Sequence, residues 1–279
     1  MNYRHAFHAG NFADVIKHVA LVAVLLHLRR KEKPFCVIDT HAGGGLYDIE
    51  GPHAARSREA ASGIARVRDL AARLDLPDAL RTYLECVEKE GEGRYPGSPR
   101  LAARLLRGQD RLIAIENHAE EADGLRKSLA AFPQARAVED DGYARLLRLL
   151  PPRERRGLVL IDPPYEAVDE FRRATELLAR AYRRFATGVY LLWFPIKSNA
   201  NTDAASGELR TLGIGPAIRL DINVDAGARE AGQRLASAGL VIVNPPYTFE
   251  AEIRATAQHL APLLGRTIRA PAAISLAGI

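Results

Sequence analysis

The chain has 279 residues, with 39 Lys and Arg against 34 Asp and Glu for a net charge of +5, and is 47% hydrophobic and 26% charged. This balance excludes an acidic disordered protein and fits a globular one of one large domain or two smaller ones. The two cysteines, Cys36 and Cys86, are too few for a disulfide framework and lie in no Cys/His metal pattern, so the cytoplasm is the expected compartment.

The N-terminus reads Asn2-Tyr3-Arg4-His5-Ala6-Phe7-His8-Ala9-Gly10-Asn11-Phe12-Ala13-Asp14-Val15-Ile16-Lys17-His18. His5, His8 and His18 are not spaced as zinc ligands on one helix face, so no metal is expected. Tyr3, Phe7 and Phe12 distinguish this arm from a Ser/Gly-rich tail and predict that it is ordered. A helix is expected from Ala13 to about Arg29, with Lys17 and His18 in its first turns, where they suit polar and stacking contacts to a nucleotide. Tyr3, His5 and Lys17 precede the first strand, so connectivity lets the segment fold back over the crevice of the sheet. Val19 to Leu26 is too short to span a membrane, and no membrane partner or secretory signal is expected.

Seven apolar runs of strand length follow: Phe35–Ile38, Leu112–Ile115, Ala135–Val138, Leu158–Ile161, Val189–Trp193, Ile218–Ile222 and Leu240–Val243. Continuous rather than alternating hydrophobicity predicts strands covered on both faces. With helical patterns between them, such as Asp169–Phe185, they predict a doubly wound, mostly parallel α/β sheet. More than seventy residues separate the first two strands, far more than a crossover needs. A small helical subdomain inserted over 47–97 is therefore expected, with helical periodicity at 62–74 and 77–90, leaving 1–46 and 98–279 as the main domain. Arg153-Arg155-Arg156 and Arg172-Arg173 are either solvated faces or phosphate contacts.

The chemistry-bearing motifs sit at strand ends. Strand one ends in Asp39-Thr40-His41-Ala42-Gly43-Gly44-Gly45, where glycines let the backbone turn sharply and approach a nucleoside closely. Strand two ends in Glu116, a carboxylate able to accept both hydroxyl hydrogens of a ribose, and strand three in Asp141-Gly142, suited to an adenine amino group. Strand four ends in Asp162-Pro163-Pro164-Tyr165. Adenine N6 is a poor nucleophile because its lone pair is delocalised into the ring. Acceptors for its hydrogens let the nitrogen pyramidalise: the Asp162 carboxylate supplies one, and Pro163 offers a carbonyl without an N–H of its own. Tyr165 is placed to stack on the base. Asn244-Pro245-Pro246-Tyr247 follows strand seven and looks alike, but strand four neighbours strand one at the switch point, so Asp162 is the catalytic choice and Asn244 a structural turn. Tyr247 is accordingly expected to matter mainly for stability.

Taken in order, the N-terminal motif, Asp-Thr-His-Ala-Gly-x-Gly at 39–45, Tyr-Pro-Gly-Ser-Pro at 95–99 and Ile-Asp-Pro-Pro-Tyr at 161–165 resemble the RlmJ family of bacterial 23S ribosomal RNA adenine-N6 methyltransferases. The resemblance covers essentially the whole chain and weakens after about Glu250. It implies a monomeric, Rossmann-like class I methyltransferase with a seven-stranded sheet, using S-adenosylmethionine, releasing S-adenosylhomocysteine, and acting on 23S rRNA that is free or in an early assembly state. By position, it implies that His18, His41, Ser98, Glu116, Asp141 and Gly142 contact the cofactor, with Asp162 beside it as catalytic acceptor, and that Tyr3 lies near the target adenine. DNA adenine-N6 methylation, and a non-catalytic RNA-binding assembly factor, are the competing readings.

Overall fold

The computed structural model describes residues 8–51, 59–196, 207, 209–225, 235–265 and 272–278, and in it the apolar runs form one large sheet. Its strands are β1 (Cys36–Asp39), β4 (Arg111–Glu116), β5 (Ala135–Glu139), β6 (Gly157–Ile161), β7 (Val189–Pro195), β8 (Ala217–Asn223), β9 (Ser237–Val243) and β10 (Ala273–Gly278). They lie in the order β10-β8-β9-β7-β6-β1-β4-β5, and a separate antiparallel pair joins β2 (Leu46–Asp48) to β3 (Arg94–Pro96). β1 pairs in parallel with β4 on one side and β6 on the other, which opens a crevice at their carboxyl ends. β9 runs antiparallel between β7 and β8.

All seven expected strands form, but the sheet has eight. The additional strand, β10, pairs antiparallel with β8 at the edge. Its Ala-Ile-Ser-Leu-Ala-Gly sequence remains half-exposed or exposed along its length, so it lacks the continuous apolar signal of the buried strands.

Alternate strand residues point to opposite faces and divide the core in two. Val37, Leu112, Leu158 and Leu160 face one cluster, which contains helix α1 (Phe12–Arg29). Ile38, Ile113, Val159 and Ile161 face the other, together with helices over Gly142–Leu149 and Glu170–Arg184. Helix α1 is apolar nearly all round, as a helix walled in by neighbours must be, and 15 of its 18 residues are buried. Asn11 caps it by accepting from the Asp14 N–H at 2.8 Å.

Between β1 and β4 the chain forms short helices at Glu59–Ser62 and Ile64–Val67, a 3-10 turn at Arg68–Ala72, and a helix at Asp78–Glu88. The two stretches with helical periodicity thus fold as helices over shorter spans, whereas the β2–β3 pair carries no pattern long enough to read. Ile64, Leu80, Tyr83 and Tyr95 from this interval join the same core as α1. Among the described residues no helix is long and apolar enough to cross a membrane.

Candidate active site

The loop after β1 is tied to both neighbours: the Thr40 N–H and hydroxyl donate to the Leu160 carbonyl at 3.1 and 3.0 Å, and the Ala42 N–H to that of Ile115 at 2.9 Å. Gly43 and Gly45 take φ values of 61° and 80°, which a side chain would strain. That turn aims the Gly43 N–H at Glu116 Oε2 (2.8 Å), while the His118 N–H donates to Oε1 (2.8 Å). Glu116 is thereby fixed with lone pairs left on both oxygens. Asp141 caps the next helix by accepting from the Tyr143 N–H at 2.8 Å. Gly142 packs so tightly that a Cβ there would lie 2.0 Å from the Thr40 carbonyl.

These groups surround a cavity of about 290 Å³ whose lining includes His18, His41, Ser98, Glu116, Asp141, Gly142 and Asp162. Seven residues from six separate places in the sequence therefore converge on one volume, at the small end of the usual range for small-molecule sites. His18 is fully buried, its Nδ1 2.7 Å from the Tyr95 hydroxyl and its ring stacked on that tyrosine. Burial holds the His41 imidazole below the ordinary histidine range. The Ser98 hydroxyl donates to Asp39 Oδ2 at 2.6 Å. Burial nevertheless pushes the Asp39 carboxyl up to about 7, the Ser98 donor opposing the shift and the nearby Asp162 charge adding to it.

Asp162 stands in the wall of this cavity and of a second one, of about 180 Å³, lined also by His8, Asp14, Tyr165, Trp193 and Pro195. Lys17 and Pro164 line both. The Lys17 ammonium lies 2.6 Å from Asp162 Oδ2 and 2.7 Å from Asp14 Oδ1. Burial disfavours this ammonium, but the two carboxylates outweigh burial and hold its pKa above the ordinary lysine range. Lys17 is thus already neutralised by two carboxylates, a different setting from that of a cation awaiting phosphate. Asp162 Oδ1 accepts from no described residue.

Tyr165 lines the second cavity with its hydroxyl donating to the Trp193 carbonyl and its ring edge-on to that indole, centroids 5.6 Å apart. The Trp193 indole N–H is buried and has no partner among the described residues. Pro163 is buried and lines neither cavity, whereas Asp162 and Pro164 on either side of it line both. Tyr3 and His5 lie outside the described residues. Among those residues, no cluster of three His, Cys, Asp or Glu is placed to hold a metal.

Sequence reasoning passed over Asp14, Tyr95, Tyr143, Glu170 and Trp193. Asp14 had a signal, since it stands three residues before Lys17 on one helix. Tyr143 donates to Glu170 at 2.6 Å across 27 residues of sequence, a contact with no local signature.

The family model described as "Ribosomal RNA large subunit methyltransferase D, RlmJ" matches residues 32–272. The chain belongs to this family. It is 35% identical over 96% of its length to ribosomal RNA large subunit methyltransferase J of Haemophilus influenzae, covering 94% of that protein. With the Escherichia coli protein of the same name it shares 38% identity over 91% of this chain and 90% of that one. A crystal structure of a Legionella pneumophila protein superposes with a TM-score of 0.87 at 33% identity, covering 97% of this chain and 98% of that one. A probable spermidine synthase of Corynebacterium glutamicum, at 14% identity and a TM-score of 0.50, shares the fold alone.

Proposed function

We propose that the protein transfers a methyl group to N6 of an adenosine in 23S ribosomal RNA, acting as a cytoplasmic monomer on RNA that is free or in an early assembly state. The observation that carries this reading is that two cavities share one wall, made by Lys17, Asp162 and Pro164. A donor in the larger and a base in the smaller would meet at the Asp162 carboxylate.

The larger cavity fits S-adenosylmethionine. Glu116 presents two oriented oxygens to a ribose diol, the glycine loop admits close backbone approach, and His118 Nδ1 on the wall is a buried nitrogen without a partner among the described residues. Bound there, S-adenosylmethionine supplies an electrophilic methyl on a sulfonium and leaves as S-adenosylhomocysteine. His18, His41, Ser98, Glu116, Asp141 and Gly142, which line that cavity, hold it.

The protein's own groups act on the amine. Lys17 holds Asp162 through Oδ2, so that Oδ1 is presented to the adenine amino group. Asp162 accepts one N6 hydrogen, draws the lone pair out of conjugation as nitrogen pyramidalises, and takes the proton as charge develops. Pro164 and Tyr165 flank the base in the smaller cavity, and Tyr3 and His5, which lie outside the described residues, are assigned to the substrate by the sequence alone. Mass spectrometry of rRNA nucleosides from cells lacking the protein tests this: loss of one N6-methyladenosine is expected, and an unchanged rRNA profile would sink the assignment.

A further inference from the structure

The second Pro-Pro-Tyr copy follows interior strand β9 and lies at the opposite end of the strands from the candidate site. Because β9 runs antiparallel, its last residue, Val243, pairs with Tyr190 at the start of β7, far from the carboxyl ends that build the candidate site. Asn244 serves the fold there, donating through Nδ2 to the Ala186 and Gly188 carbonyls at 2.8 Å each. Tyr247 does not: its ring is 80% exposed, too open for the mainly stabilising role that sequence suggests. His27 meets the ring edge-on at 5.4 Å, and the Arg30 guanidinium lies over it at 5.7 Å.

Tyr247 borders a groove of about 580 Å³ lined by His27, Lys31, Lys33, Arg155 and Arg156 as well. Several arginines on other faces are neutralised, Arg100 and Arg104 by Glu90, Arg107 by Asp110, and Arg172 by Asp169 and Glu176. Among the described residues, Arg30 over the Tyr247 ring and Lys31, Lys33 and Arg155 in the groove form no ion pair. The carboxylate lining it, Glu154, is held by Arg111 and Arg153. The turn bearing the lysines is a built one, since Arg107 donates to the Lys31 and Lys33 carbonyls at 2.9 and 3.2 Å and Arg156 to that of Lys33 at 2.9 Å. Burial, then the charges of Arg30, Arg156 and Lys31, hold His27 below the ordinary histidine range, as a concentrated positive field requires.

Unpaired cations around an exposed aromatic ring are the chemistry that receives single-stranded nucleic acid, with phosphates on the cations and a base on the ring. We propose that this rear groove is a second contact for the RNA substrate, taking a single-stranded stretch that flanks the methylated one, with phosphates on Lys31, Lys33 and Arg155 and a base on Tyr247. The proposal rests on the rRNA methyltransferase reading. The five residues of β6 separate Gly157 at this groove from the Asp162 end. At roughly 3.3 Å per residue that is about 17 Å through the buried sheet, so RNA passing round the outside needs a flanking stretch longer than that span.

The test uses Lys31→Gln/Lys33→Gln and, separately, Tyr247→Ala, assayed on two fragments of 23S rRNA that carry the adenosine mapped by nucleoside mass spectrometry, one ending close to it and one extending well beyond. KM for the long fragment is expected to rise about ten-fold with kcat and the short fragment unaffected. The slope of log affinity against log salt on the long fragment should become shallower by about 1.4 in the double variant, from about 0.7 per phosphate contact, and Lys31→Arg/Lys33→Arg should restore it. Unchanged KM and salt slope on the long fragment, or equal losses on both fragments, overturns the proposal. Failure of the wild-type protein to methylate either fragment overturns the methyltransferase reading instead.

Discussion

Replacing Lys17 with Met keeps the length of the side chain and removes its charge. In the wild type the ammonium sits within 2.7 Å of two carboxylates, and the side chains of Lys17, Asp14 and Asp162 are only 4%, 3% and 13% exposed. Removing one member of a buried ion pair costs about 3–5 kcal/mol, because the charge left behind is uncompensated. A shift of about 2–4 °C per kcal/mol then predicts a melting temperature lower on the order of 10 °C at pH 8. The pH dependence has a definite sign. Lys17 has a folded pKa above its ordinary 10.5, so its stabilisation is fully present below that value and is lost only as pH climbs past it. In Lys17→Met the stranded carboxylates favour their protonated forms, so the deficit should shrink as pH falls toward 5. Thermal melts of both proteins at pH 5 and 8 provide the measurement, and Asp14→Asn/Lys17→Met should recover part of the loss. A variant melting within about 1 °C of wild type at pH 8 would refute the claim that this lysine neutralises the site.

Asp162→Asn should retain S-adenosylmethionine binding by calorimetry while methyl transfer falls by about 10²–10³-fold, as for loss of one preorganised group in other active sites; near-normal turnover counts against Asp162 as the acceptor. Trp193→Phe removes the unpartnered indole N–H from the smaller cavity, so KM for RNA should rise while cofactor affinity stays unchanged, and a reversed pattern would move Trp193 to the cofactor side. Gly142→Ala drives a methyl to 2.0 Å from the Thr40 carbonyl, and the strain should cost about 1–3 kcal/mol or more in urea melts together with cofactor affinity; a wild-type melt would mean that the loop yields freely. Asp39, raised to about 7 from 3.8, contributes stability that is present below pH 4 and lost as pH rises through 7, so wild-type stability relative to Asp39→Asn should decline across that window. Parallel stability curves for the two proteins would exclude such a titration.

What the sequence reveals of this site follows the range of the interactions. The glycine loop, the acidic motifs and the first Pro-Pro-Tyr motif each lie within a few residues of the end of a parallel strand, whose direction carries their side chains to one crevice. Glu116, Asp141 and Asp162 come together for that reason, whereas His18 reaches the same cavity from helix α1. The contact between Lys17 and Asp162 spans 145 residues and has no local pattern. Which of the two prolines lines the cavities depends on the backbone path after β6, and the Pro-Pro sequence carries no signal of that path. β10 escaped notice because an exposed edge strand needs little apolar surface.

Helix α1 is enclosed by core on nearly every side, yet its first turns hold Lys17 and His18. Segments that handle substrates are commonly drawn from the labile parts of a protein, which open without disturbing the rest. Here the backbone amides of residues 17 and 18 belong to the stretch that should exchange with deuterated water only when the whole molecule unfolds. Lys17 and His18 therefore form a fixed anvil for whatever binds beside them, and sampling of open and closed states cannot originate in the helix itself.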